Sequence, residues 1–170
     1  MAMNKSHLTK AQKGVLGMLI DDHRKVQKIF KAFESEPDSE KKQEMVLEAC
    51  TDLTAHAEIE ERHFYPFLRK ADPEKFGDLL NEAAVEHASA KDLIAQLLQM
   101  SPDDELYDAK FTVLGEYVNH HITEEEDELF PEVVKGELDL RDLEPAMQET
   151  KGAVVSQPLK LTKASTRIGA

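Results

Sequence analysis

Histidine and glutamate recur at a spacing of four in two places in this 170-residue chain. The first copy pairs His56 with Glu60, and the second pairs His121 with Glu125. On a helix, residues four apart lie one above the other on the same face, so each pair can reach one point in space. An imidazole nitrogen beside a carboxylate oxygen suits iron or manganese better than a metal that prefers thiolates. The spacing therefore indicates metal chemistry.

The surroundings of the two pairs are repeated as well. Both boxes read His-x-x-x-Glu-Glu and run on to an aromatic residue and a proline. The further correspondences, at an offset of 64 to 65 residues, are His23 with His87, Asp22 with Glu86, Pro37 with Pro102, and Pro66 with Pro131. Chance supplies one such box easily in a glutamate-rich chain, but not two with matching distant histidines and turns. The chain is interpreted as two related helix pairs, each with one histidine on its first helix and one box on its second.

Apolar residues at spacings of three and four predict four long helices. The first is expected over residues 8–34, and the second from Pro37 to about Tyr65-Pro66, where the proline should kink or end it. The third starts at Asp72-Pro73. The fourth is expected to start at Ser101-Pro102, read as a serine cap followed by proline, and to run to Phe130-Pro131.

Short joints and the lack of a strand signal favour one all-α architecture. The prediction is an antiparallel up-down four-helix bundle with a pseudo-two-fold internal repeat of helix hairpins. One domain is expected over residues 1–150, with its core at 8–135 and a short extra helix around 139–149. Residues 151–170 hold four basic side chains and no acidic one, and are predicted to form a flexible basic C-terminal tail.

The charge and cysteine content restrict the class of protein. Thirty-four acidic residues against 21 basic ones give a net charge of −13, which argues against nucleic acid or an anionic membrane as a partner. Cys50 is the single cysteine, so no intrachain disulfide can form. The apolar run over residues 14–20 is too short to span a bilayer. We expect a cytoplasmic protein.

These motifs resemble the hemerythrin-like family, also called HHE cation-binding domains, from about residue 8 to residue 135. The resemblance implies a four-helix bundle with a non-haem pair of iron ions, joined by an oxo or hydroxo bridge and replaceable by manganese or zinc. It implies that the terminal ligands are His23, His56, His87 and His121. It also implies that Glu60 and Glu125 bridge the two ions, which agrees with a carboxylate having two oxygens where an imidazole offers one nitrogen.

The third helix departs from the pattern of oxygen-carrying hemerythrins, which have two histidines one turn apart there. His87 has Ala83 one turn before it and Lys91 one turn after it. Six ligands instead of seven leave more coordination positions open, which favours chemistry with peroxide, oxygen or nitric oxide over reversible oxygen carriage.

His63 is the alternative ligand, because it lies near His56 around the helix and forms a Glu60-x-x-His63 spacing typical of ferritin-like proteins. Its counterpart in the second half is Glu128, so this spacing is not repeated. The other candidates are read as surface groups, core residues or partners of ligand imidazoles; they are His7, Cys50, Glu61, Tyr65, His120, Glu124, Glu126 and Phe130. For Tyr65, a phenolate close to iron is a further alternative.

Two classes of function fit these observations. One is an enzyme with catalase- or peroxidase-like activity, or one that handles nitric oxide, so that its partners are small oxidants (O2, H2O2 or NO). The other is a non-catalytic oxygen, redox or iron sensor, or an iron buffer. The single histidine on the third helix favours the first class slightly, and the sequence indicates no protein partner.

Overall fold

The computed structural model describes residues 2–162, and all regular secondary structure in that range is helical. This confirms the all-helical class. The α-helices are α1 (Lys10–Phe33), α2 (Ser39–Ile59), α3 (Tyr65–Ala71), α4 (Pro73–Leu97), α5 (Tyr107–Glu124), α6 (Phe130–Lys135) and α7 (Glu144–Val155). Short 3-10 helices at Lys5–His7 and Arg141–Leu143 precede α1 and α7. Within residues 2–162, no helix is both long enough and apolar enough to span a membrane.

The helices α2 and α4 begin at aspartates that cap them. The Asp38 carboxylate accepts a hydrogen bond from the Lys41 backbone N–H at 2.9 Å. Asp72 does the same for the Lys75 N–H at 3.0 Å, with Pro73 in the first turn. Each cap satisfies a backbone donor that the first helical turn leaves without a partner.

The fourth long helix starts later than predicted, because Ser101 does not cap it. The segment from Ser101 folds into turns, in which the Asp104 carboxylate accepts the Ser101 backbone N–H at 2.7 Å. The α-helix begins only at Tyr107, whose side chain is fully buried. The sequence signal does mark a turn. In that turn the Asp104 side chain accepts a hydrogen bond from Ser101, whereas the Ser101 side chain does not cap the helix.

The helix that carries the first His-x-x-x-Glu box was predicted to kink or end at Tyr65-Pro66, but helical structure continues past Pro66 to Ala71, so the helix does not end there. Helical structure also continues past Pro131, to Lys135. A single π-helical turn at Glu60–Phe64 joins α2 to α3, and one at Glu125–Leu129 joins α5 to α6. In these turns the Tyr65 N–H donates to the Glu60 carbonyl, and the Phe130 N–H to the Glu125 carbonyl. The wider turn lets the helix continue past a residue that cannot donate a hydrogen bond.

Two separate hydrophobic clusters fill the interior on either side of a polar layer. The first cluster is centred on buried side chains that include Leu16, Leu19, Phe64, Phe76 and Phe130. The second includes Val26, Phe33, Leu97, Phe111 and Val118. Helix α1 packs on α2 and α5, α4 packs on α5 and α2, and α7 packs mainly on α2. The candidate ligands belong to neither cluster, although both clusters contain residues one or two turns away from them along the helices.

The C-terminal part differs from its prediction. The helix expected around 139–149 is α7, which continues to Val155 and so includes the first residues assigned to the flexible tail. Beyond it, the Leu159 N–H donates to Thr51 Oγ1 at 3.0 Å, and the Thr162 N–H to the Leu98 carbonyl at 2.9 Å. Burial of Met147 against the first cluster holds α7 in place, which composition alone does not show. Residues 163–170 of the predicted tail lie outside the described residues.

Candidate metal centre

The six candidate ligands lie together in the polar layer between the two hydrophobic clusters. A first donor group consists of His23, His56, Glu60 and Glu125, and a second consists of Glu60, His87 and His121. In each group, one ligand atom from every residue lies within 4.8 Å of the others. All six side chains are buried, and Glu60 is fully so. Because Glu60 belongs to both groups, its carboxylate connects them.

The first donor group contains buried polar atoms without hydrogen-bond partners. They are Nε2 of His23 and of His56, Oε1 of Glu60, and both carboxylate oxygens of Glu125. Burying a polar atom without a partner costs free energy, so native structures contain few of them. Nitrogen and carboxylate oxygen atoms converging on one point fit a divalent or trivalent first-row metal. The donors present therefore fit a cation.

The second donor group differs because a phenol lies among its donors. The Tyr65 hydroxyl donates to Glu60 Oε2 at 3.0 Å and lies 3.3 Å from His121 Nε2 and 3.5 Å from His87 Nε2. The π turn accounts for this position, because its hydrogen bonds join residues five apart and so bring Tyr65 close to Glu60. The corresponding Phe130 ring instead stacks on His23, with the ring centroids 5.9 Å apart.

Each of the four histidines places its other ring nitrogen, Nδ1, against a carboxylate. The contacts are His23 with Glu126 at 2.8 Å, His56 with Asp22 at 3.1 Å, His87 with Glu61 at 3.2 Å, and His121 with Glu86 at 3.0 Å. We call these four acids the orienting carboxylates. An ionised carboxylate only accepts hydrogen bonds, so each Nδ1 donates and each Nε2 faces the donor groups.

Three of the orienting carboxylates are in turn paired with a basic side chain. Arg24 contacts Glu126 at 2.6 Å, Lys91 contacts Glu61 at 2.7 Å, and Lys151 of α7 contacts Asp22. Glu86 has a different neighbourhood, because its basic neighbours in the described chain are His121 and the exposed His120. His120, Glu86 and Glu124 form a third, partly exposed group of His and Glu side chains.

Opposite charges in the buried layer shift the pKa values of its members. Burial disfavours an ionised Glu60, but the neighbouring His56, His121 and His87 outweigh it and hold the pKa of Glu60 well below its usual range. Burial also disfavours a charge on His56, whereas Glu60 and Asp22 raise its pKa to about 10. A cation entering the first donor group would therefore displace protons from imidazole.

The remaining sequence candidates lie outside the two donor groups. His63 faces α7, where its Nε2 lies 2.7 Å from Thr150 Oγ1. His7 is exposed, and Cys50 is a buried free thiol in the second hydrophobic cluster. Glu61 and Glu126 were expected to be partners of candidate-ligand imidazoles, and they contact Nδ1 of His87 and of His23. Glu124 instead pairs with His120 at 3.0 Å.

Sequence reasoning did not assign a role to Asp22 and Glu86, although it noted that an acid precedes both lone histidines. Each of them forms a hydrogen bond with Nδ1 of a histidine on the next long helix: Asp22 with His56, and Glu86 with His121. Their repetition at the common offset was the available signal. Nothing near the boxes pointed to Lys151, which comes from a helix distant in sequence.

A cavity of about 50 Å³ adjoins the histidine layer. All four candidate histidines contribute to its lining, together with apolar side chains such as Val26, Leu53, Ile94 and Val118. A water-sized molecule needs roughly 10–15 Å³, so the cavity has room for several molecules of that size.

Comparison with known proteins agrees with this geometry. A family model described as the hemerythrin HHE cation binding domain matches residues 15–133, a range that contains all six donors. A protein named DNA nickase from Nostoc sp. (strain PCC 7120) is 33% identical over 132 residues, which is 78% of this chain and 36% of that protein. The chain thus spans about a third of that relative's length. No solved structure matches the chain significantly.

Proposed function

Because the chain belongs to the hemerythrin HHE cation-binding family, we propose that it is a non-haem di-iron protein that binds or reacts with small oxidants. The iron pair would be joined by an oxo or hydroxo bridge. Family membership and the two donor groups support cation binding, and the choice of iron rests on the nitrogen and oxygen donor set.

One observation carries the proposal: five buried ligand atoms that form no hydrogen bond meet in the first donor group, where His56 Nε2 and Glu60 Oε1 lie 2.9 Å apart as an ion pair. A cation would give all of them a partner at once. Exposed acidic clusters bind water instead and need no ion, but the donors of this group are buried.

In the proposed arrangement the four histidines are terminal ligands. His23 and His56 would hold one ion, and His87 and His121 the other. Glu60 and Glu125 would bridge, because Glu60 takes part in both donor groups and Glu125 Oε1 lies 2.8 Å from His121 Nε2 as well as 3.7 Å from His23 Nε2. The same proposal includes an antiparallel four-helix bundle made of two hairpins, α1 with α2 and α4 with α5, related by a pseudo-two-fold axis.

The protein's own residues would select and orient the oxidant. A bound iron pair supplies redox and Lewis-acid chemistry. The partly apolar cavity beside the histidines has room for small neutral molecules such as O2, H2O2 or NO. The Tyr65 hydroxyl is the one side-chain O–H among the ligand atoms of the described donor groups, so it can donate a proton or a hydrogen bond there.

The activity in the relative's name belongs to a protein of which this chain spans only 36%. A net charge of −13 disfavours contact with phosphate backbones, and we propose no nucleic-acid or membrane partner. A cytoplasmic location belongs to the same proposal.

Metal analysis of protein loaded anaerobically with ferrous iron tests the proposal. We expect two irons per chain and, after oxidation, near-ultraviolet bands of a bridged ferric pair. One zinc per chain with no uptake of iron would contradict it. Oxygen evolution from peroxide by the loaded protein, compared with Glu60→Ala, then separates an enzyme from a sensor or an iron buffer.

A further inference from the structure

Helix α7 lies outside the region that the family model matches, yet it reaches the metal centre. The match covers residues 15–133, and α7 spans Glu144–Val155. Its Lys151 contacts Asp22 Oδ1, and the other oxygen of Asp22 lies 3.1 Å from His56 Nδ1. A side chain distant in sequence is therefore connected to a candidate ligand through one carboxylate.

Three side chains of α7 contact the rest of the chain in different ways. Met147 is fully buried in the first hydrophobic cluster. Thr150 Oγ1 lies 2.7 Å from His63 Nε2. Lys151, whose side chain is 33% exposed, reaches over to Asp22 on α1. Only the last of these contacts leads to the donor groups, so docking of the helix and positioning of the ligand can be separated by mutation.

We infer that Lys151 is a positioning residue, which fixes the Asp22 carboxylate and thereby the orientation of the His56 ring. This inference rests on the proposed function, in which His56 binds a metal ion. Lys151 touches neither ligand atoms nor the cavity's histidines, so its influence passes through Asp22.

The physical reason is the rotational freedom of a carboxylate. Asp22 holds His56 with one oxygen, and with the other oxygen free the group could turn or accept water. A Lys151 ammonium on that second oxygen removes the freedom and offsets the negative charge of a side chain that is only 13% exposed. His56 Nδ1 then keeps its acceptor, and Nε2 stays directed at the first donor group.

The other orienting carboxylates show why Lys151 is distinctive. Glu126 pairs with Arg24 and Glu61 with Lys91, and both cations lie on the helices that carry His23 and His87. Lys151 alone of these three comes from a helix that supplies no ligand. The orientation of His56 thus depends on the docking of α7, whereas the orientation of His23 and His87 does not.

Four variants test the inference. Lys151→Met removes the charge but keeps the length, and Lys151→Arg restores it. Thr150→Val breaks the neighbouring polar contact of α7 without touching Asp22, and Lys91→Met breaks the matching pair at Glu61. For each variant we would measure the melting temperature of the metal-free protein, the Nδ1–H nuclear magnetic resonance signal of His56 in that form, and the zinc affinity of each binding step.

We expect Lys151→Met to weaken one binding step about tenfold, the low end of the 10–100-fold losses seen when an outer partner of a ligand is removed. The His56 Nδ1–H signal should broaden by exchange with water. Lys151→Arg should restore both properties, and Lys91→Met should weaken the other step. Thr150→Val should lower the melting temperature of the metal-free protein without changing the His56 signal.

The results separate this inference from the proposed function. If the wild-type protein binds no pair of ions, the proposed function fails, while the His56 signal of the metal-free protein still reports on Lys151. If Lys151→Met lowers the melting temperature as Thr150→Val does and leaves the His56 signal and zinc affinity unchanged, Lys151 only fastens α7 and the inference is overturned.

Discussion

The two donor groups use the same ligand types at the same spacing, yet their surroundings differ. In the first group, ligand atoms of His23, His56 and Glu125 form no hydrogen bond, and a Phe130 ring stacks on His23. In the second group, the Tyr65 hydroxyl lies among the ligand atoms of His87 and His121. The distances between paired rings are nearly equal, 4.9 Å for His23 with His56 and 4.8 Å for His87 with His121.

The helix α7 adds to the difference. It packs on α2, where Ala55 and Ile59 are fully buried. The corresponding positions on α5 are the exposed His120 and the partly exposed Glu124. A repeated motif thus sets where the candidate donor atoms converge, while the residues around it make the two donor groups chemically different.

Replacing a shared carboxylate should have the largest effect. Glu60→Ala removes an oxygen from both donor groups, together with negative charge that offsets the repulsion between two cations. We expect this variant to bind neither iron, as measured by metal analysis after anaerobic loading. Glu125→Ala should behave alike, because Glu125 also lies beside a histidine of each pair.

The matched control for these variants is His63→Ala, which alters a histidine of the same helical segment outside the donor groups. It should retain two irons. Retention of one iron by Glu125→Ala but none by Glu60→Ala would mean that only Glu60 bridges, and the two groups would then differ in their ligands as well as in their surroundings.

Replacing one terminal histidine should have a smaller effect. Under the proposed function, His23→Ala would remove one bond to one ion and His87→Ala one bond to the other, so water could take the vacated position in each case. We expect the affinity of one binding step to fall at least about a hundredfold in each variant. This is the upper end of the roughly 10–100-fold loss that follows removal of an outer partner of a ligand. Titration with cobalt(II), followed by visible absorption, resolves the two steps. A loss of both steps in either variant would show that the ions bind only as a pair.

Much of the helical fold and the convergence of the candidate ligands could be predicted from local patterns. The helix α4 begins at the Asp72-Pro73 signal because a cap and the proline act within one turn. The boxes predicted the neighbours of Glu60 correctly because residues four apart on a helix are close whatever the rest of the chain does. Repetition then extended the prediction to His23 and His87, which the structure brings to the same layer.

The missed features depend on contacts between distant segments or on competing local bonds. The Ser101 signal failed because Asp104 captures the serine backbone N–H. The helices continue past Pro66 and Pro131 because a π turn, which periodicity does not reveal, precedes each proline. The link from Lys151 to Asp22 spans 129 positions in sequence, so no spacing rule could find it.

The pH dependence of binding should be intermediate in size. The pKa of His56 is raised to about 10 from an unfolded value of 6.5, since Glu60 and Asp22 outweigh its burial. Its pairing therefore stabilises the metal-free protein fully below pH 6.5, and this contribution disappears as the pH rises through about 10. Over the same range a metal ion competes with fewer protons, so affinity should rise about tenfold per pH unit for each proton displaced.

Opposite trends are thus expected from two measurements between pH 7 and pH 9. The melting temperature of the metal-free protein should fall, and the zinc affinity of the first step should rise. Calorimetric titrations in buffers of different ionisation enthalpy count the protons released. An affinity that does not change over this range would show that the histidines are already neutral before binding.

The smallest effect should come from exchanging the two aromatic residues that distinguish the donor groups. Tyr65→Phe removes a hydroxyl that lies 3.0 Å from Glu60 Oε2 and 3.3 Å from His121 Nε2. Since one hydrogen bond contributes about 0.5–1.5 kcal/mol net, the affinity of the second group should fall about 2–12-fold while that of the first is unchanged. If the phenol oxygen becomes a donor to ferric iron, the wild-type protein also has a visible tyrosinate band that Tyr65→Phe lacks.

Phe130→Tyr is the reciprocal variant and should give the first group a hydroxyl neighbour. If both variants bind both ions as the wild type does, the aromatic residues carry no chemistry, and α7 is then the main source of the difference between the groups.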